Sequence, residues 1–479
     1  MVIDADDLRN SRHRSRPSLY LTVRQNSPYL TPGDRRAQAD PFEKGGGHTL
    51  TATDRCVPLH LRTEVGTIDV PLASQPGGDP YHRTQPDDQL AVAHPFRNAA
   101  IAGVFNTVQA RSLPDHDSLS IAIEGALGAL DDAGLGVADV DGVIGERAGE
   151  LAYELRLGPC RRSPNGLGIP AVLEAAALIT TGQCQVVLVV GGSAGVYTDR
   201  ASTAPWTRPT NEFVVGYGMF TAVEFALMAK RHMLTFGTTP GQLAEVAATI
   251  RNNGHLNPEA VYFERGPFTP EDILASRPIA EPFHLLDCST TSEGGCGLVL
   301  TTAERAADLK QPAAWILGGG SDAYGPSYQH GPIWDFTGRP GQDVPAGYVG
   351  RRAAAAAFVT AGLSPSEVDV CELYDPFSFE IIRQLEAFGF CPDGEGGAFV
   401  SDGTIGPGGA LPVTTDGGTM SFAHPGNSTQ MLQRVIRSVQ QVRGTCASAQ
   451  VTGAEVALCS NGGSGALFND VMLIGSGRP

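Results

Sequence analysis

The chain has 479 residues, 42% of them hydrophobic, enough to bury the cores of roughly two to four domain-sized units. Its formal net charge of -17 argues against a nucleic-acid or anionic-membrane surface, so any anionic ligand must meet a local arginine patch or backbone N–H groups. The nine cysteines are scattered without C-x-x-C spacing, which reads as reduced thiols in a cytoplasmic protein with no zinc site, and no apolar run is long enough to span a membrane.

Residues 1–94 carry little apolar periodicity and several Pro-, Gly- and Arg-rich stretches, so an irregular or disordered extension is expected there. Asp4, Asp6 and Asp7 sit where organelle-targeting peptides avoid acids. From Phe96 the pattern becomes orderly. A strand is expected near Asn98, a helix over Ser118 to Ala133, a strand over Val140 to Ile144, a helix over Ile169 to Thr180 and a buried strand from Gln185. Residues 199–285 interrupt this order with two helical patterns and a Pro-rich stretch, and read as an inserted loop domain. Strands then resume at Leu298 and Trp315, with a strand pair near Ala454 to Leu458 and Val471 to Ile474. Alternating strands and helices imply parallel pairing covered by helices.

One phrase occurs twice. Ala126 to Val143 reads ALGALDDAGLGVADVDGV, and Ala354 to Cys371 reads AAAAFVTAGLSPSEVDVC. Each is a helix running into Ala-Gly-Leu, a polar connector and a strand. The separation is domain-sized, so two similar α/β halves are expected, residues 95–300 and 301–479.

Three second-half segments carry the candidate chemistry: Glu372 to Phe377 (ELYDPF), Leu411 to Gly426 (LPVTTDGGTMSFAHPG) and Cys459 to Gly465 (CSNGGSG). Glycine-rich turns at strand ends let backbone amides approach a ligand. In this order the three segments resemble the asparagine or histidine loop, the GHP loop and the C-terminal glycine loop of the thiolase superfamily. Arg231 to Met233 and Ala275 to Pro282 are similar to the sterol-carrier-type and lipid-transfer branch, and the likeness runs from about Asn98 to the C-terminus. It implies a thiolase fold, in which duplicated βαβαβ halves form a five-layered αβαβα core.

A thiolase needs a cysteine on the turn leading into the first-half helix, where the helix N-terminus lowers its pKa. The family alignment puts Asn165 there, with Cys160 off register. At the second-half loop stands Tyr374, and Tyr324 follows an earlier strand, with Tyr328 as its competitor. Both tyrosines resemble those implicated in the thiolase-fold aldolases that shorten steroid side chains. Cleaving a β-hydroxyacyl-CoA needs a base for the β-hydroxyl proton and donors for the thioester enolate, but no covalent nucleophile.

The resemblance therefore implies Tyr374, Tyr324, His424 and Cys459 as catalytic candidates, with Cys459 either protonating the enolate or merely filling space. It assigns Asn165, Asn461, Gly462 and Gly463 to substrate binding. Asp287 to Gly295 reads as structural. No bound cofactor or metal is expected, coenzyme A thioester being the substrate. The expected assembly is a homodimer, with a small OB-fold and zinc-ribbon protein as partner. A thiolase-type acetyl-CoA acetyltransferase and a non-catalytic acyl-lipid carrier are the alternatives.

Overall fold

In the computed structural model, which describes residues 60–63, 66–69, 93–166, 168–195, 221–323, 335–337, 346–463 and 468–479, the repeated phrase folds the same way twice. Helix α1 (Ser118–Ala133) ends at Gly134, whose φ of 72° is left-handed, and Leu135 N–H reaches back to Leu130 O at 2.9 Å. The second copy repeats this turn: helix α6 (Arg351–Ala361) stops at Gly362, φ 67°, and Leu363 N–H returns to Phe358 O at 3.2 Å. Glycine is needed at both because a Cβ penalises that backbone region.

In each copy the aspartate of the Val-Asp pair that closes the connector (Val140-Asp141, Val368-Asp369) then pins the start of a later strand. Asp141 accepts the N–H of Gln185 and Val186, where strand β4 (Val186–Ser193) begins. Asp369 accepts the N–H of Glu455 and Val456, where β8 (Val456–Gly463) begins. The duplicated letters are therefore the helix stop and the strand-start latch of each half.

Among the described residues nine strands form the main sheet, in the order β7, β8, β9, β6, β1, β5, β4, β2, β3. The first half supplies β1 (Ala99–Asn106), β2 (Gly142–Ile144), β3 (Arg161–Ser163), β4 and β5 (Gly294–Thr302), and the second supplies β6 (Ala314–Ala323), β7 (Val370–Glu372), β8 and β9 (Phe468–Gly475). In both halves the first strand pairs antiparallel with the last, the last antiparallel with the one before it, and that one parallel with the second. Among its described residues the second half has no full counterpart of β3, but a parallel bridge joins Cys371 and Val413 at the corresponding place. The halves join where Ala314 and Trp315 pair with Ile101 and Ala100.

Helices α3 (Gly168–Thr180) and α9 (Asn427–Arg443) lie between the half-sheets. Ile169, Val172, Leu432 and Ile436 pack there against Val187 and Val189 of β4 and Ala457 and Cys459 of β8. Alternate residues face outward, Val186 and Leu188 toward α1, Leu458 and Leu473 toward α6. Strands covered on both faces explain the near-continuous apolar runs in the sequence. The result is the αβαβα layering of the thiolase fold.

Between β4 and β5 lie α4 (Thr221–Phe236) and α5 (Pro240–His255). Helix α5 follows a Thr239 cap with Pro240 in its first turn, a start the sequence predicts. It buries Arg251, which donates to Leu286 O, Met420 O and Cys288 O at 2.7, 3.0 and 2.7 Å. Helix α4 is tied to the second half through His232, fully buried, whose Nε2 lies 3.0 Å from Glu386 Oε2.

Residues Met1–Asp87 form a separate unit, in which His60–Thr63 pairs antiparallel with Gly66–Asp69. That hairpin falls inside the stretch expected to be irregular.

Candidate active site

Tyr374 leaves the end of β7 on a turn whose backbone is held from both sides. Its N–H donates to Ser460 Oγ at 3.0 Å, its carbonyl accepts Gln384 Nε2 at 2.7 Å, and Ser460 Oγ donates to Gln384 Oε1 at 2.5 Å. Ser460 lies on β8 and Gln384 on α7 (Ser378–Ala387), so a closed ring of three groups, all of them buried, fixes the tyrosine's main chain. A Cβ on Gly462 would stand 2.9 Å from Asn469 Nδ2 and 3.4 Å from Tyr374 Cδ1, so glycine lets β8 lie close to the ring.

The rest of the turn reaches other elements. The buried Asp375 accepts Thr419 N–H at 2.7 Å and Met420 N–H at 3.1 Å, both in the short helix α8 (Gly418–Ser421). Pro376 O accepts Ser289 N–H at 2.9 Å, and Phe377 stacks on Phe283 with centroids 5.1 Å apart. His424 follows α8, is half-buried, and donates its N–H to Ser292 Oγ at 2.8 Å. Glu293, in the segment read as structural, accepts Leu113 N–H at 2.7 Å.

Asn461 is buried against the start of α3. Its Oδ1 accepts Ile169 N–H at 2.9 Å, and its amide donates to Asp470, whose carboxyl burial pushes up to about 6. The strand carrying the glycines thereby caps the helix end where a thiolase nucleophile would sit. Asn165, three residues ahead of α3, donates to Glu174 Oε2 at 3.0 Å.

Cys459 points into the layer between the sheets. It is fully buried, Sγ donates to Met472 O at 3.5 Å, and burial pushes the thiol up to about 12. The same direction holds for each of the eight cysteines among the described residues, with burial as the first cause. A nucleophilic thiolate needs the opposite shift. Tyr324 and Tyr328 lie outside the described residues.

Beneath the loops is a charge cluster that sequence reasoning missed. Arg434 of α9 makes a bidentate pair with Asp416, 2.8 Å at each contact, and lies 3.7 Å from Glu372. Thr415 donates its hydroxyl to Glu372 at 2.6 Å and accepts Arg437 Nε at 2.9 Å. Burial would raise Asp416, but the Arg434 guanidinium overrides it and holds the carboxyl below its ordinary value. Glu372 and Asp375 go the other way, each pushed up to about 7 by burial. These partners set the backbone that runs to His424. A cavity of about 440 Å³ lined by Asn253, Ile405, Thr415 and Val451 adjoins this cluster rather than Tyr374 or His424.

Fold and loops together define a thiolase-fold protein with no activated thiol among its described cysteines and a tyrosine at the loop after β7. Residues 345–476 match the family "Thiolase C-terminal domain-like". A steroid side-chain-cleaving aldolase of Thermomonospora curvata is 32% identical over 72% of this chain and 90% of its own length. A 17-hydroxy-3-oxo-4-pregnene-20-carboxyl-CoA lyase of Mycobacterium tuberculosis is 33% identical over 76% and 96%. A solved structure described as an Ltp2-ChsH2(DUF35) aldolase superposes with a TM-score of 0.67 at 29% identity, covering 79% of this chain and 98% of the other. The chain belongs to the thiolase superfamily, in its sterol-carrier-type and lipid-transfer branch.

Proposed function

We propose that this chain is a carbon–carbon lyase that cleaves a β-hydroxyacyl-CoA, with a steroid or comparable lipid side chain, by a retro-aldol reaction. The observation that carries the reading is the clamped Tyr374 turn in a site with no low-pKa thiol among the described cysteines; the names of the relatives support it. A base removes the β-hydroxyl proton, the Cα–Cβ electron pair moves into the thioester to form an enolate, and the β-carbon leaves as a ketone or aldehyde carbonyl. Protonation of the enolate gives the shortened acyl-CoA, so no electron or group is left over. Tyr374 serves as the acid/base group. A free phenol titrates near 10, so it works through a relay to His424 or Tyr324. Cys459, sealed in the core, is a packing residue. Gly462 shapes the wall beside Tyr374, with Gly463 next to it against Phe468, and Asn165 and Asn461 order the helix end that faces the acyl thioester.

The partner assignments belong to this proposal. Among the described residues strand β3 pairs on one side only, with β2, which leaves an edge for a second copy of the chain to extend the sheet. The likeness to the Ltp2-ChsH2(DUF35) aldolase supports a small partner, of OB-fold and zinc-ribbon type. The scattered cysteines are the ground for assigning the protein to the cytoplasm; no helix among the described residues is long and apolar enough to cross a membrane.

The test is Tyr374→Phe, assayed with partner present on a branched β-hydroxyacyl-CoA. The ring and its backbone clamp survive the change, so kcat falls by about 10²- to 10⁴-fold with the fold intact. Full activity in the variant refutes Tyr374 as the acid/base group.

A further inference from the structure

We infer that Asp375 is a positioning residue for the cleavage reaction, locking the turn that carries Tyr374 to the segment that carries His424. The inference rests on the lyase reading above and deepens it.

The geometry is specific to this pair of loops. Asp375 is fully buried and divides its carboxylate between Thr419 N–H at 2.7 Å and Met420 N–H at 3.1 Å. The bonds span 44 and 45 residues of sequence, from the residue after Tyr374 to a helix that ends three residues before His424. Gly418 makes the approach possible. Its φ is +58°, and a Cβ there would stand 2.1 Å from Asp375 Oδ2. Thr419 is held in turn by Thr290, whose N–H donates to Thr419 O at 3.0 Å, and Ser289 N–H donates to Pro376 O. Tyr374, Asp375 and Pro376 are thus each fixed by a different element, and Asp375 reaches the segment ahead of His424 by its side chain.

A carboxylate in this place ties positioning to pH. Burial pushes Asp375 up to about 7, against Arg434 and the two amides, which favour its charged form. Charged groups acting on it are Arg434 of α9 and Asp416 of the intervening loop; Glu372 of β7 shares Arg434 with it, and Arg251 of α5 donates to Met420 O. Below about pH 7 a proton occupies one carboxylate oxygen, one amide loses its acceptor, and the two loops loosen. Above it both bonds are in place. The expected profile is a kcat that rises through neutrality.

The experiment compares wild type, Asp375→Asn and Gly418→Ala, each with partner protein, on a branched β-hydroxyacyl-CoA between pH 5.5 and 8.5. Asp375→Asn keeps the volume but offers one acceptor instead of two, and lowers kcat by roughly 10- to 100-fold with KM within about twofold, as expected of lost alignment. Its profile loses the limb near pH 7. Gly418→Ala leaves the carboxylate but forces it off the amides, and gives a similar loss of kcat. The double variant is no slower than the slower single one, because both break the same contact. Circular dichroism and thermal unfolding confirm that each variant folds. If Asp375→Asn fails to fold, Gly418→Ala alone decides, and a kcat near wild type overturns the inference. A folded Asp375→Asn with kcat within threefold of wild type and an unchanged profile also overturns it while leaving the lyase reading standing. Absence of cleavage by wild type overturns both.

Discussion

Replacing Arg434 with methionine removes the counter-charge from a sealed cluster while nearly preserving volume. Arg434 is fully buried and makes two 2.8 Å contacts to Asp416, with Glu372 3.7 Å away. Without it, Asp416 and Glu372 face each other with Arg437 as the remaining nearby cation. Breaking one side of a buried ion pair costs about 3–5 kcal/mol, most of it the price of the stranded charge. The pH dependence follows by sign. In wild type, Asp416 is held below its ordinary value, so its contribution is present at neutral pH and lost only as pH falls through that depressed folded value. In the variant, burial and Glu372 raise Asp416 above its unfolded value, so the folded state binds a proton more tightly and gains stability as pH falls. Glu372 and Asp375, pushed up to about 7, give wild type a gain of its own in this range, so the comparison is the gap between the proteins at each pH. Urea unfolding followed by tryptophan fluorescence shows a gap of about 3–5 kcal/mol at pH 7.5 that narrows at pH 5.5 by up to about 1.4 kcal/mol per unit per proton bound. A gap under about 1 kcal/mol, or one that does not change with pH, refutes this account of the cluster.

Cys459→Ala removes one sulfur from the layer between the sheets and lowers stability by roughly 1 kcal/mol while leaving turnover unchanged. Wild-type Cys459 resists iodoacetamide at pH 7.5 in the folded protein, as mass spectrometry of a digest checks, because burial holds its thiol near 12. Asn461→Ala strips the acceptor from Ile169 N–H and the donor from Asp470, and lowers the unfolding free energy by about 1–3 kcal/mol, measured by denaturant titration.

The architecture was legible because its punctuation is physical. Gly134 and Gly362 stop helices that carry the same spacing, and Asp141 and Asp369 occupy the same place before a strand, so similarity of letters meant similarity of fold. Helix α9 was missed although Leu432, Val435, Ile436 and Val439 recur at helical spacing. Its glutamines and arginines suggest a solvated face; instead Arg434, Arg437 and Gln441 turn inward because Thr415, Asp416 and Glu372 supply partners from segments distant in sequence.

The loops that carry Tyr374, Asn461 and Gly462 were legible as an ordered set, but their contacts were not. Nothing in the sequence shows that Ser460 and Gln384 close a ring around Tyr374, or that Asp375 reaches amides 44 residues on. Asn461 illustrates the difference: its place in the glycine loop suggests a ligand contact, and the structure spends its side chain on Ile169 and Asp470.

The claim at the centre is cleavage of a carbon–carbon bond without a covalent intermediate. The direct measurement follows a branched β-hydroxyacyl-CoA through one turnover with partner present, quantifying both products and the intact mass of the protein. Retro-aldol cleavage yields a ketone and a shortened acyl-CoA in equal amounts, with the protein mass unchanged throughout. Turnover of a β-ketoacyl-CoA through an acylated cysteine, with the β-hydroxy substrate untouched, would contradict it.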